Sequence, residues 1–218
     1  STATVWAYTQ KATGLIQSIE PSGSSPSTVT VAGRSYAIET SAASYALSDL
    51  GQYHRGDTVT LLLGRDGGVA AVVPAAESAV ERVGLVLEVT TSSYPDGVGG
   101  SYSAQTISLL STDGQTYQYQ TKRSGLRAGS LVRASANSQT GEVEVRALSS
   151  KPLSGTVSRD GTRLGKYSFA ENAEILDVSG SRGVVITPDR LAGLTLNGDQ
   201  VRCHILNTQG EIETMILK

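Results

Sequence analysis

The sequence predicts an all-β chain built as three tandem small β-barrels of about 70 residues each, OB-like or alternatively SH3-like in strand order. Three observations lead there. Ser and Thr together outnumber all charged residues and 24 glycines punctuate the chain, the composition of short strands and many turns. Three segments open alike: "TGLIQSI" at Gly14, "VGLVLEV" at Gly84 and "LSGTVSR" at Gly155. Three also close alike, each with a Gly, a small polar residue, a strand around Val59, Val132 or Val201, a turn, and a second strand near Val69, Val143 or Ile212. The closing glycines stand 11 residues apart from Gly56 to Gly67, and 12 apart from Gly129 to Gly141 and from Gly198 to Gly210, which is a hairpin's length.

In the first repeat, alternation of apolar and polar residues predicts strands near 13–19, 27–32, 34–39, 57–63 and 68–73. "STVTVAGRSYAIET" is a hairpin turning at Ala32-Gly33, and "SAASYALSDLGQ" has room for a short helix ending near Gly51. Five strands with a helix after the third is the OB order. The second repeat predicts strands near 83–90, 104–110, 115–120, 130–136 and 142–147, with a longer loop after its first strand. The third diverges most, and "PDRLAGL" takes its helical slot. Expected boundaries are 1–12 for an N-terminal strand or linker, 13–76, 77–150 and 151–218 for the barrels. "PAAESAVER" and "SSKPLS" are the connecting linkers. In "STATVWAYTQKA", Thr4, Trp6 and Tyr8 alternate with Val5 and Ala7, as in a strand.

A net charge of −2, with both signs interspersed, lacks the basic footprint of a nucleic-acid binder. No run of apolar residues is long enough to span a bilayer, so no membrane insertion is expected within this segment, and no basic-plus-apolar leader opens it. The single Cys203 excludes an internal disulfide and a cysteine-based metal cluster.

The tandem units run from "G-[LIV]-[IV]-x-x-[IV]" through "T-V-x-V-x-G-x-x-Y" to "G-D-x-V-x-L-x-x-x-x-x-G-x-V-x-x-V". The clearest matches are Gly14 to Ile19, Val29 to Tyr36 with Gly33, and Gly56 to Val73, and "AENAEILDVSG" from Ala170 to Gly180 is of the same kind. In these turn-and-strand patterns the chain resembles the small β repeats of Gram-positive cell-surface proteins that carry S-layer homology domains. The wall-binding modules themselves are absent from it. The resemblance implies an extracellular, non-catalytic segment at the cell wall or S-layer. Its partners would be a cell-wall polymer, a glycan or neighbouring surface-protein domains, and it transfers no active-site residue.

Candidate chemistry weighs little against punctuation. "RGD" at Arg55–Asp57 shares its Gly-Asp with "NGD" in the third repeat, so Asp57 is expected to hold a turn entering a strand. "GRDGG" is a hairpin turn whose counterparts are "NSQTG" and "NTQG". Cys203 and His204 are adjacent on a strand and point to opposite faces, so they form no dyad, and Cys203 is expected in the core. Glu142 and Glu144 share a strand face, and with Glu171 and Glu174 would serve glycoside hydrolysis only across a cleft. The acidic turns lack calcium-loop spacing and the glycine runs lack a phosphate-loop pattern, so no cofactor or metal is expected. Tyr36, Tyr117 and Tyr119 lie where an OB barrel stacks bases, without a basic groove beside them.

The sharpest candidate is "SSYPDGVGGSY", Ser92 to Tyr102, read as a long rim loop. Tyr94 and Tyr102 would supply ligand-binding faces and Asp96 a hydrogen-bond acceptor. The expected function is a structural spacer or ligand-presenting segment; the alternatives are a carbohydrate-binding module acting through barrel loops and an accessory domain of a surface enzyme.

Overall fold

A computed structural model describes residues 10–75, 81–95, 99–137, 143–180 and 182–218. The fold is all-β, with a curled sheet of half-barrel form. Two compact units divide the chain, Ser1–Leu109 with Gln115–Arg146 and Leu110–Gly114 with Ala147–Lys218.

The first unit begins with β1 (Gln10–Glu20), β2 (Thr28–Val31), β3 (Arg34–Ala37), α1 (Ser41–Ala46), β4 (Thr58–Leu63) and β5 (Val69–Pro74). β1 pairs antiparallel with both β2 and β4, β2 with β3, and β4 with β5. A parallel bridge from Ile38 to Val69, where the Glu39 N–H donates to the Val69 carbonyl at 2.9 Å, carries β3 to β5 and closes the cycle. Inside it Ala12, Ile16, Val29, Val31, Val59, Leu61, Leu63 and Val69 form one buried cluster, which Ala43 and Leu47 of the helical segment join. Thr40 starts the helix: its Oγ1 accepts from the Ala43 N–H at 3.1 Å and donates to the Ala70 carbonyl at 2.7 Å, tying the cap to β5.

Three of the expected turns are present among the described residues. Ala32 and Gly33 both have positive φ, 52° and 78°, as a two-residue hairpin with the right-handed strand twist demands. The Gly64 N–H donates to the Gly68 carbonyl at 2.8 Å across "GRDGG", with Gly67 at φ 83°. "NTQG" folds around Asn207, whose side-chain oxygen accepts from the N–H groups of Gln209 and Glu211, both at 2.9 Å. The counterpart "NSQTG" falls largely outside the described residues.

The second repeat supplies β6 (Arg82–Pro95), β7 (Ser101–Ser111), β8 (Thr116–Thr121), β9 (Leu131–Ala136) and β10 (Val143–Ala147) to the same sheet, in the order β10-β9-β6-β7-β8-β1-β2-β3. It joins the first repeat where Gln10–Thr13 of β1 run parallel to Thr116–Tyr119 of β8. That stretch of β1 offers β8 the edge that β2 takes up from Ile16 onward, while β4 holds the opposite edge. Gly14 marks the changeover. A Cβ there would lie 3.2 Å from both the backbone nitrogen and the Cβ of Ala32, so glycine lets the β2–β3 turn press onto β1. Thr106 on β7 fastens the turn by donating to the Ala32 carbonyl at 2.6 Å in a buried site.

Among the described residues, β8 and β10 do not pair. In the first repeat 20 residues, 38 to 57, connect the third and fourth strands and carry α1, whereas 9 residues, 122 to 130, make the same connection in the second and hold no helix. With this shorter connection, the seam that Ile38 and Val69 close in the first repeat has no counterpart between β8 and β10 among the described residues. The linker expected at "PAAESAVER" lies mostly outside the described residues, as do residues 1–9 of the leading segment; Gln10–Ala12 belong to β1.

In the second unit, β11 (Gly155–Thr156), β12 (Arg163–Leu164), β13 (Tyr167–Asp177), β14 (Val184–Ile186), a 3₁₀ turn at Pro188–Leu191, β15 (Thr195–Leu196), β16 (Val201–Leu206) and β17 (Ile212–Leu217) follow. β11 pairs with β15, Val157 bridges to Leu164, β12 pairs with β13, β13 runs parallel to β17, and β17 returns to β16. These pairings follow the order of the first repeat, parallel seam included, with β14 added as an extra strand antiparallel to β13 and "PDRL" in the helical slot as expected. Val157, Leu164, Ile175, Val201, Ile212 and Met215 make its core.

The turn before β12 is held by Asp160. Its carboxylate accepts from the Ser158 hydroxyl, from the Thr162 N–H at 3.1 Å and from the Thr162 hydroxyl at 2.8 Å, and these bonds lower its pKa to about 2. A folded value below the ordinary 3.8 makes the turn's stabilisation complete above the ordinary value and lost as pH falls through about 2. NMR titration of the Asp160 carboxyl carbon is expected to show that depressed midpoint, with the Thr162 and Arg163 amides exchanging faster only as it is passed. A midpoint at the ordinary value would contradict the turn.

Candidate functional site

The opening between β8 and β10 is a cleft of about 670 Å³ within the first unit. Its walls are Gln120 and Thr121 at the end of β8, Lys122 and Arg123 just beyond, and Val143–Arg146 along β10, with Gly14, Leu15 and Thr58 of the first repeat and Tyr102 and Ala104 of β7 completing the lining. The floor is apolar: Ala104 and Val145 are buried, and Leu15 and Val143 half-buried. The rim is cationic, because Lys122, Arg123 and Arg146 are all exposed there. The one carboxylate among the described lining residues, Glu144, is engaged by Arg146 at 2.9 Å. Lys122 also stands over the Tyr102 ring, with Nζ 6.0 Å from its centre.

Tyr102 is thus half-buried at the cleft, but as a residue of β7. The stretch Ser92–Tyr102 is not the long loop expected from its glycines. β6 continues to Pro95 and β7 resumes at Ser101, because the β-branched Thr90 and Thr91 and the aromatic Tyr94 and Tyr102 favour extended backbone on both sides. Tyr94 lies in β6 with its side chain outside the described residues, and Asp96 falls outside them altogether.

The other candidates are dispersed. Asp57 accepts from the His54 N–H at 2.8 Å and Gly56 sits at φ 98°, so "RGD" is a turn entering β4. Cys203 is buried in β16. Tyr36, Tyr117 and Tyr119 are each at most 9% exposed, which removes them as stacking platforms; the last two stack on each other at 5.8 Å, with Arg82 over the Tyr117 ring. Burial raises the Tyr36 hydroxyl's pKa, opposed by the nearby Arg34 charge, so it stays neutral. Glu174 accepts from the Thr112 hydroxyl at 2.6 Å, Glu171 is exposed, and Glu142 lies outside the described residues. Among the described residues no group of three or more His, Cys, Asp or Glu is placed to hold a metal.

Sequence reasoning missed Lys122, Arg123 and Arg146. The signal for them was the brevity of "KRSGLRAGS" against the helix-bearing connection of the first repeat. Comparison with known proteins finds no matching family model, no matching curated protein and no matching solved structure.

Proposed function

We propose that this chain is a non-catalytic, ligand-presenting segment of a bacterial cell-surface protein, made of three tandem OB-like barrels, and that the opened second repeat is where it takes a partner. One observation carries the reading: a parallel seam closes the first repeat at Ile38 and Val69 and joins β13 to β17, whereas β8 and β10 are unpaired among the described residues and a cleft with an apolar floor and a cationic rim stands between them. The parallel seam and the helical slot before the fourth strand favour the OB-like over the SH3-like order. The surface setting rests on the turn-and-strand resemblance, and cell fractionation with an antibody to this segment tests it.

Among the described residues the lining offers binding groups but neither His nor Cys, and its carboxylate, Glu144, is paired with Arg146. An anionic ligand suits the rim. A carbohydrate is the second reading, favoured by the Tyr102 ring beside polar groups. NMR titration with an acidic oligosaccharide and with a short acidic peptide is expected to shift resonances of the lining residues with at least one of them. Tyr102→Ala and Lys122→Ala should each weaken that binding about fivefold or more, roughly 1 kcal/mol. Shifts confined to other surfaces, or hydrolysis of the added oligosaccharide, would refute the reading.

A further inference from the structure

Resting on the reading that this cleft is the binding site, we propose that its ligand is an extended acidic peptide of another protein, which enters as a β-strand and hydrogen-bonds to the edge of β10 that is unpaired among the described residues. Four consecutive residues of β10, Val143 to Arg146, line the cleft. Successive side chains of a strand point to opposite faces, so a surface touched by all four meets the backbone edge of the strand. β10 ends the ten-stranded sheet and, among the described residues, pairs only with β9, which leaves alternate N–H and C=O groups directed at the opening.

The opposite wall is built the same way. Gln120 to Arg123 are also consecutive, and β8 pairs with β1 only as far as Tyr119, so the end of β8 is a second strand edge facing the opening. Two strand edges separated by a cleft make the site of strand addition, in which main-chain bonds give affinity and alternate side chains give selectivity. In the closed first repeat the corresponding seam is bridged directly, with the Glu39 N–H donating to the Val69 carbonyl at 2.9 Å. Four residues of β10 span about 13 Å at about 3.3 Å each, so four to five peptide residues fill the edge.

Charge selects the peptide. Among the described lining residues Lys122, Arg123 and Arg146 outnumber Glu144, while the whole chain carries −2, so these residues set a positive patch against the balance of the chain. Alternate acidic residues would meet the rim, and small apolar residues between them would rest on Ala104, Val145 and Leu15.

The test uses the full chain and three probes: an end-blocked peptide of alternating glutamate and valine, the same peptide N-methylated at alternate amides, and an oligogalacturonate. With the first peptide at saturation, hydrogen exchange of the outward amides within Val143–Ala147 is expected to slow about tenfold or more, and N-methylation should weaken binding by about tenfold or more. Lys122→Glu should weaken the unmodified peptide as well. Equal binding of the methylated and unmodified peptides overturns strand addition. Cleft shifts with oligogalacturonate but not with peptide overturn it too, while leaving the cleft's binding role standing. If none of the probes shifts the lining residues, both fall. Slow exchange of β10 that depends on protein concentration alone makes the occupant a second copy of this chain and also overturns the proposal.

Discussion

Replacing Gly161 by alanine is expected to destabilise the second unit by about 3 kcal/mol. Gly161 closes the turn held by Asp160, donating its N–H to the Ser158 carbonyl at 2.9 Å, with φ at +71°. An L-residue in that region costs about 1–2 kcal/mol by itself. The space is also taken: a Cβ would lie 2.8 Å from the Asp189 Cα and 3.0 Å from its nitrogen, backbone atoms of the 3₁₀ turn that no rotamer change moves aside. Gly193→Ala separates the two costs, because Gly193 has φ +77° and nothing within 4 Å of the added methyl. Denaturant unfolding should therefore place Gly161→Ala well below Gly193→Ala, the latter losing only about 1 kcal/mol. Equal midpoints for the two variants would mean that the turn does not press on Pro188–Asp189.

Leu61→Ala should cost the first unit a similar amount, about 3 kcal/mol. Leu61 is fully buried on β4, in register with Ala12 of β1 on one side and Val72 of β5 on the other, so truncation empties the middle of the closed cycle. Small neighbours such as Ala12 cannot refill it. Leu50→Ala is the matched comparison, since Leu50 is 83% exposed and its loss should change stability by no more than about 0.5 kcal/mol. Hydrogen exchange at Thr60 and Leu62 is expected to report the Leu61 cavity. Indistinguishable stabilities of the two variants would exclude Leu61 from the core.

The strands of the first two repeats were legible because one face is buried and the alternation is regular. "TVTLLL" and "STVTVAGRSYAIET" announce β4 and the β2–β3 hairpin through period and turn chemistry alone. Cys203 and the turn at Asp57 were legible for the same local reasons. The cleft was not. Whether β8 meets β10 or β1 is a matter of strand edges, and edges are backbone, which leaves no trace in side-chain identity. Lys122, Arg123 and Arg146 therefore read as scattered charge, and only the pairing of Gln10–Thr13 with Thr116–Tyr119 assembles them at one opening. The glycines of Ser92–Tyr102 misled in the other direction, since their turn signal outweighed the strand pattern that carries β6 to Pro95 and starts β7 at Ser101.

The parallel pairing of β1 with β8 also sets the tempo of folding. Gln10 meets Thr116 across 106 positions of chain, the difference of the two numbers. Such a contact repays its loop-closure entropy late, and non-local pairings of this kind slow folding by orders of magnitude relative to hairpins. The cycle from β1 to β5 needs no residue beyond Pro74, yet Gln10–Thr13 leave one strand edge without β8 until Thr116–Tyr119 are also free to pair. During that interval the edge is open to any other nascent copy. The pairing of β1 is thus finished by the second repeat, whose β8 covers the Gln10–Thr13 edge.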